Sequence, residues 1–165
     1  MEYERVIHEF EPVYNESSRV LILGSFPSVK SRESHFYYGH PQNRFWKVIA
    51  ALTGEAVPAT IEEKRNVLLS HGIAVWDVIE SCEIIGSSDS SIREVKVNDF
   101  SRILQIAPNI HIFANGSKSY ELYQRYAFPQ TGREAVKLPS TSPANAAWSL
   151  GRLCAEWKRL LNGYI

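Results

Sequence analysis

The chain has only two cysteines, Cys82 and Cys154, far apart and without a CxxC pair or a Cys/His cluster beside them. The ligand sets of a zinc site or a four-cysteine iron–sulfur cluster are therefore missing. Two thiols in a domain of this size read as reduced, buried cytosolic residues. An excess of charge of either sign is also missing. Eighteen basic residues balance eighteen acidic ones and the formal net charge is zero. That argues against a tail-driven polyanion binder but leaves room for a local basic face. No apolar run approaches the roughly 20 residues of a membrane span. Met1–Glu16 holds five acids and one Arg, the wrong sign for a signal or transit peptide. The GxGxxG spacing of a dinucleotide site is absent, as are repeats, low-complexity tracts and linkers. What is present is an ordinary globular composition, 44% hydrophobic in 165 residues. That size suits one domain, residues 1–165, with a full core.

Four short apolar runs rich in β-branched residues punctuate the chain: Arg19–Gly24, Gly72–Val78, Ile110–Asn115 and Ala135–Pro139. Near-continuous apolarity is expected of strands covered on both faces. Helical spacing separates them. Phe45, Val48, Ile49 and Leu52 form one stripe, ended by Gly54. Thr60-Ile61-Glu62-Glu63 is a capping box whose helix should stop at Gly72. Phe100, Ile103, Leu104 and Ala107 form another stripe, stopped by Pro108. Ser117 can cap a helix to about Tyr126, and Leu150, Leu153, Cys154, Trp157 and Leu161 mark a C-terminal helix. Alternation of strands and helices implies an α/β layered domain around a parallel sheet of about four strands. Ligands in such sheets bind beyond the carboxyl ends of the strands. That rule selects Gly24–Arg44, Asp77–Ile92, Asn115–Lys118 and Ser140–Asn145.

The first of these segments, with the helix start that follows it, is the densest in chemistry. Lys30, Arg32, Arg44 and Lys47 face Glu33 alone, and Phe36, Tyr37, Tyr38, Phe45 and Trp46 are interleaved with His35 and His40. Rings stack bases and cations meet phosphates, so this composition suits a flipped-nucleotide or single-stranded site. A long loop with its aromatics packed inward has the same composition. In the fourth segment Ser142 before Pro143 is good helix-start chemistry, and such a start can also hold a phosphate.

The sequence GSFPS, then FYYGHPQNRFWKVI, then STSPAN resembles the uracil-DNA glycosylase superfamily. With WDVIESC and SSDSSI, the chain is most similar to the hypoxanthine-DNA (deoxyinosine) glycosylases. The likeness runs from about Arg19 to Asn145. It implies a three-layer α/β/α sandwich with a four-stranded parallel sheet. It also implies hydrolysis of the N-glycosidic bond of a flipped, deaminated base, with no cofactor and no metal. The transition state carries positive charge on the sugar and negative charge on the leaving base.

The resemblance assigns roles residue by residue. After Gly24-Ser25, where relatives carry a water-activating Asp or Asn, this chain has Phe26. In the hypoxanthine family an Asn of the PxNRFW stretch takes over, here Asn43, which is equally placed to cap the helix after it. An amide is a poor base, so Asn43 would orient water or touch the sugar. His40 is the nearest titratable alternative. Tyr38 aligns with the aromatic that stacks on the base, although Phe36 or Tyr37 could do so. Asp77 stands where uracil-specific relatives read the base with Asn. A carboxylate accepts the N1–H of hypoxanthine and leaves O6 to a backbone N–H near Ser25 or Phe26, or it merely caps the next loop. Asn115 and the Gly-Ser after it would line the pocket, or form a turn and cap. Lys30, Arg32, Ser140, Ser142, Ala144 and Asn145 are the candidate DNA contacts. Ser140 and Ala144 replace a His or Asn and a bulky wedge of relatives, leaving Asn145 or a neighbour to fill the vacated gap. Ser87–Ser91 could contact DNA, although a solvated loop is the simpler reading.

The expected protein is thus a monomeric, intracellular glycosylase acting on deoxyinosine in single- or double-stranded DNA. It should leave an abasic site, because nothing marks Lys30 or Lys47 as a Schiff-base lysine. The rivals are a uracil or mismatch-specific glycosylase and a catalytically silent nucleic-acid-binding module of the same fold. Charge of −4 over Met1–Glu16 and +3 over Val29–Lys47 suits a local cationic rim with a shallow salt dependence of binding.

Overall fold

The computed structural model describes residues 2–165. Its centre is a parallel sheet of four strands: β2 (Val20–Gly24), β3 (Ile73–Asp77), β6 (His111–Asn115) and β7 (Ala135–Leu138), in the order β3-β2-β6-β7. Every residue of β2 and β3 is buried, which explains their unbroken apolar runs. The outer edge of β3 is closed by Val13, which exchanges two backbone bonds with Val75. The chain leaves β2 toward β3 on one side and crosses to β6 on the other, so the strand order reverses at β2. A crevice forms outside the strand ends at such a point.

Helices α2 (Phe45–Thr53), α3 (Ile61–Ser70), α4 (Ser101–Ile106), α5 (Ser117–Leu122), α6 (Phe128–Thr131) and α7 (Leu150–Leu161) fill the connections. The Thr60/Glu63 capping box is formed in full, and Gly54 ends α2 in the left-handed conformation. Trp157 of α7 is fully buried and donates its indole N–H to Pro139 O at 2.8 Å, tying α7 to the end of β7.

Four features depart from the sequence reading. The first is a second sheet, antiparallel, of β1 (Glu4–Ile7), β4 (Ile79–Ile84) and β5 (Arg93–Val97) in the order β1-β4-β5. Its outer strands are charged and largely exposed, with only Val6, Val95 and Val97 partly buried, so β4 carries most of the apolar face. The second is α1 (Val29–Ser34), capped by Ser28 inside what reads as loop. The third concerns Ser117, which is the first helical residue rather than the cap. Gly116 is the cap, at φ +96°, and the helix runs on through a π turn to Thr131. The fourth is that no helix opens at Ser142. Residues 142–148 form turns, and α7 starts at Leu150 behind Ser149. Arg44 takes the carbonyls of Ser142, Asn145 and Trp148, acceptors that a helix there would compete for.

Candidate active site

The carboxyl ends of the four parallel strands open onto one cavity of roughly 280 Å3, near the lower end of small-molecule sites, ~300–1,000 Å3. Gly24 contributes from β2, Asp77 from β3, Asn115 from β6 and Ser140–Ala144 from beyond β7. The segment after β2 adds Ser25, Phe26, Tyr38, His40 and Asn43. All four segments selected from the sequence therefore meet.

One hydrogen-bond chain crosses the cavity wall, and two backbone donors fix its direction. Phe45 N–H donates to Asn43 Oδ1 at 2.9 Å, and Thr141 N–H donates to Asn115 Oδ1 at 3.1 Å. With its oxygen so placed, Asn115 donates through Nδ2 to Thr141 Oγ1 (3.0 Å) and Tyr38 Oη (3.2 Å). Thr141, fully buried, then donates its own proton to Asn43 Oδ1 at 2.8 Å. Asn43 thus serves as both an Asx-type cap and a wall residue. Its oxygen accepts two hydrogen bonds, and its amide N–H groups are left to donate. Asn115 spends both donors on holding Tyr38 and Thr141.

Tyr38 is stacked on Phe45, centroids 3.9 Å apart and planes 14° apart. One face of the ring is covered and the rest lines the cavity. Its backbone is left-handed, φ +53°, a strained state for a tyrosine. Burial first, and then the charge of Asp77, raise its phenol above the usual range. Phe36 packs into the core instead, and Tyr37 is buried with its O–H donated to Glu11 O while still touching the cavity wall. His40 accepts the Gln42 N–H on Nδ1 at 3.1 Å and lines the cavity.

The floor is the Asp77 carboxylate. Oδ2 accepts from His8 Nε2 at 2.8 Å, both side chains being almost wholly buried. The Asp77 carbonyl meanwhile accepts from Asn98 Nδ2. Gly24 must be glycine, since a Cβ there would lie 2.3 Å from Asp77 Oδ1. A second carboxylate, Asp89, reaches the cavity from the 3-10 turn between β4 and β5. It accepts from Ser25 Oγ at 2.9 Å. Desolvation in the wall pushes its carboxyl upward, opposed by that hydrogen bond.

The rim departs further from expectation. Arg32 turns inward, donating to Gly86 O at 2.6 Å and lying over Phe26, so it clips α1 to the β4–β5 hairpin instead of facing a phosphate. Asn145 turns back on its own loop, donating to Ser140 O at 3.0 Å, and so does not project as a wedge. Ser142 Oγ accepts from Ala144 N, and Ser140 Oγ from Ser142 N. Pro143 and Ala144 remain exposed at the loop tip. Lys30 is exposed beside Glu33 at 3.6 Å. A groove runs on from the cavity past Trp148, lined by Lys118, Lys137 and Arg159 together with Asp89 and Glu156.

Asp89 and His8 are the residues that sequence reasoning missed. Asp89 sits in a Ser-rich run that looks solvated. His8 had a signal in the alternation Val6, His8, Phe10, which places three side chains on one face of a strand and its extension.

The sequence and fold are similar to those of known proteins. Residues 11–162 match the profile of the Uracil DNA glycosylase superfamily. A protein of Methanosarcina acetivorans named Hypoxanthine DNA glycosylase is 37% identical over 153 residues, covering 90% of this chain and 94% of the relative. One of the same name from Methanosarcina barkeri is 36% identical, covering 82% and 86%. A G/U mismatch-specific uracil DNA glycosylase of Schizosaccharomyces pombe is 27% identical over 76% of this chain and 38% of its own. The NMR solution structure of a candidate uracil DNA glycosylase from Methanosarcina acetivorans superposes with a TM-score of 0.75. It is 35% identical, covering 92% of this chain and 96% of its own. With the strand order, the cavity at the four strand ends and these matches in agreement, the chain belongs to the uracil DNA glycosylase superfamily.

Proposed function

We propose that this protein is a monofunctional DNA glycosylase that hydrolyses the N-glycosidic bond of deoxyinosine in DNA, inside the cell, releasing hypoxanthine and leaving an abasic site. The observation that carries the reading is the Asp77 carboxylate on the cavity floor. It accepts a hydrogen bond and cannot donate one. Hypoxanthine presents N1–H to it, whereas adenine presents a lone pair and is repelled. The Phe26 N–H, which bonds no protein acceptor among the described residues, supplies the donor for O6. The names of the two Methanosarcina relatives support the same substrate.

The flipped nucleoside enters beside Tyr38. As C1′–N9 breaks, its electron pair stays on the base, held by the donor at O6. Positive charge grows on the sugar. Asn43 Nδ2 holds the attacking water by donating to it, which positions the water without activating it. Asp89 balances the sugar charge and takes the proton that the water sheds on bonding to C1′. That proton ends on the released base. No lysine lines the cavity among the described residues, in keeping with hydrolysis and no strand cleavage. Lys118 and Lys137 along the adjoining groove give the DNA backbone its counter-charge. The protein works as a monomer, and DNA of either strandedness is its substrate.

Oligonucleotides carrying a single inosine, uracil or xanthine, treated with alkali after incubation, test the activity. Inosine is expected to be cleaved fastest, with uracil as a lesser substrate. Cleavage of none would refute the enzyme, and faster cleavage of uracil would refute the substrate. Asp89→Asn gives a separate result. If the ionised carboxylate is required, the wild-type rate falls as pH drops through the raised Asp89 value, above the usual carboxylate range. The variant should lose that acid limb and run about 100-fold slower on the plateau. An unchanged limb in the variant would remove Asp89 from the mechanism.

A further inference from the structure

A carboxylate aimed at the N1 edge of a purine creates a difficulty, because guanine fits it better than hypoxanthine does. Both bases offer N1–H, but guanine adds N2–H, and the pair can bond both oxygens of one carboxylate at once. Guanine is also the base present everywhere in DNA. A hypoxanthine reader built on Asp needs something that spoils the second oxygen.

The structure holds such a device in His8. Its Nε2 lies 2.8 Å from Asp77 Oδ2, with the two side chains 2% and 5% exposed. The imidazole is fixed from several sides. Its backbone N–H is bonded to Glu80 O at 2.7 Å. Its ring packs against Phe10 at 4.5 Å and Tyr37 at 5.8 Å, and edge-on to Phe26 at 6.1 Å. His8 is not among the cavity's lining residues, whereas Asp77, Gly24 and Tyr38 are. The Oδ2 side of the carboxylate is therefore filled by a ring, and Oδ1, against the Gly24 backbone, is the oxygen left for a base.

We propose that His8 is the specificity-determining positioning residue of the base pocket: by occupying Asp77 Oδ2 it reduces the carboxylate to one acceptor, which serves the N1–H of hypoxanthine and leaves the 2-amino group of guanine without a partner. A buried amine without an acceptor is penalised in a way that a missing methylene is not. The inference rests on base reading by Asp77. It adds that the reading is selective because of a residue just after β1 that never touches the substrate.

Three variants test it on duplexes carrying one inosine, or one guanine opposite thymine, scored as alkali-labile sites. His8→Leu keeps the apolar packing and removes the N–H. It should cleave inosine about tenfold more slowly without slowing at guanine, so that the inosine-to-guanine ratio narrows about tenfold. The loss on inosine should fall on kcat/KM. His8→Gln, whose amide reaches the same oxygen, should restore the rate and the ratio. A His8→Leu enzyme with the wild-type ratio, or a His8→Gln enzyme as impaired as His8→Leu, would overturn the clamp. Asp77→Asn separates the two ideas. If it keeps the inosine preference, Asp77 does not read the base and both fall. If it loses that preference while His8→Leu keeps the wild-type ratio, the clamp alone falls. Melting temperatures of the variants identify any loss due to unfolding.

Discussion

Asn43→Asp will fold as the wild type does and excise hypoxanthine at least about 100-fold more slowly. The reason lies in how the Asn43 side chain divides its work. Its oxygen accepts from Phe45 N–H and from Thr141 Oγ1, and both bonds survive in a carboxylate, which caps a helix as well as an amide does. What Asp lacks is the amide N–H that we propose holds the water. Asn43→Ala loses both functions and should be slower still, and less stable by about 1 kcal/mol, the usual cost of a lost cap. Single-turnover rates on inosine duplex, read beside thermal melts, separate capping from catalysis. An Asn43→Asp enzyme of wild-type rate would show that the amide donor plays no part.

Arg44→Lys is expected to be almost as damaging by another route. The guanidinium and its own backbone N–H together reach the carbonyls of Thr141, Ser142, Asn145 and Trp148. They pin the whole loop after β7 to the start of α2. A lysine offers one compact ammonium and cannot span that fan. With charged hydrogen bonds contributing ~1.5–3 kcal/mol each, the loss of two should lower stability by about 3–6 kcal/mol. Misplacing Ser140–Ala144 by an ångström should cost about 100-fold in kcat/KM. Hydrogen exchange over residues 142–148 will show the loop loosened. If exchange there is unchanged, Arg44 is not the pin.

The sequence made some of this readable and hid the rest for physical reasons. Strands β2, β3 and β6 declared themselves because they are largely buried on both faces, the edge strand β7 less so because Val136 and Lys137 are exposed, and the strand ends located the cavity. Asn43 was legible at a helix start, where its oxygen takes the Phe45 N–H, and its side chain lines the cavity. The strands of the antiparallel sheet were hidden, since β1 and β5 bury little and read as charged surface. Ser142 and Pro143 had sound helix-start chemistry that Arg44, 98 residues away, overrides by taking the carbonyls. Arg32 and Asn145 were read by charge and position, but Arg32 donates to Gly86 O and Asn145 to Ser140 O. His8 and Asp89 gain meaning only when the sheets bring distant segments together.

The hydrogen bonds that build the cavity have a consequence for how the chain acquires activity. His8 meets Asp77 across 69 residues, Tyr38 meets Asn115 across 77, and Asn43 meets Thr141 across 98. Contacts of such sequence separation form late, after the loops between them have closed. On a ribosome, Asn43 and Asn115 stay unconnected until Thr141 has emerged, so no nascent fragment ending before it can carry the complete wall. Recovery of inosine excision during refolding should therefore lag behind the return of helical signal, and it marks the last step of folding.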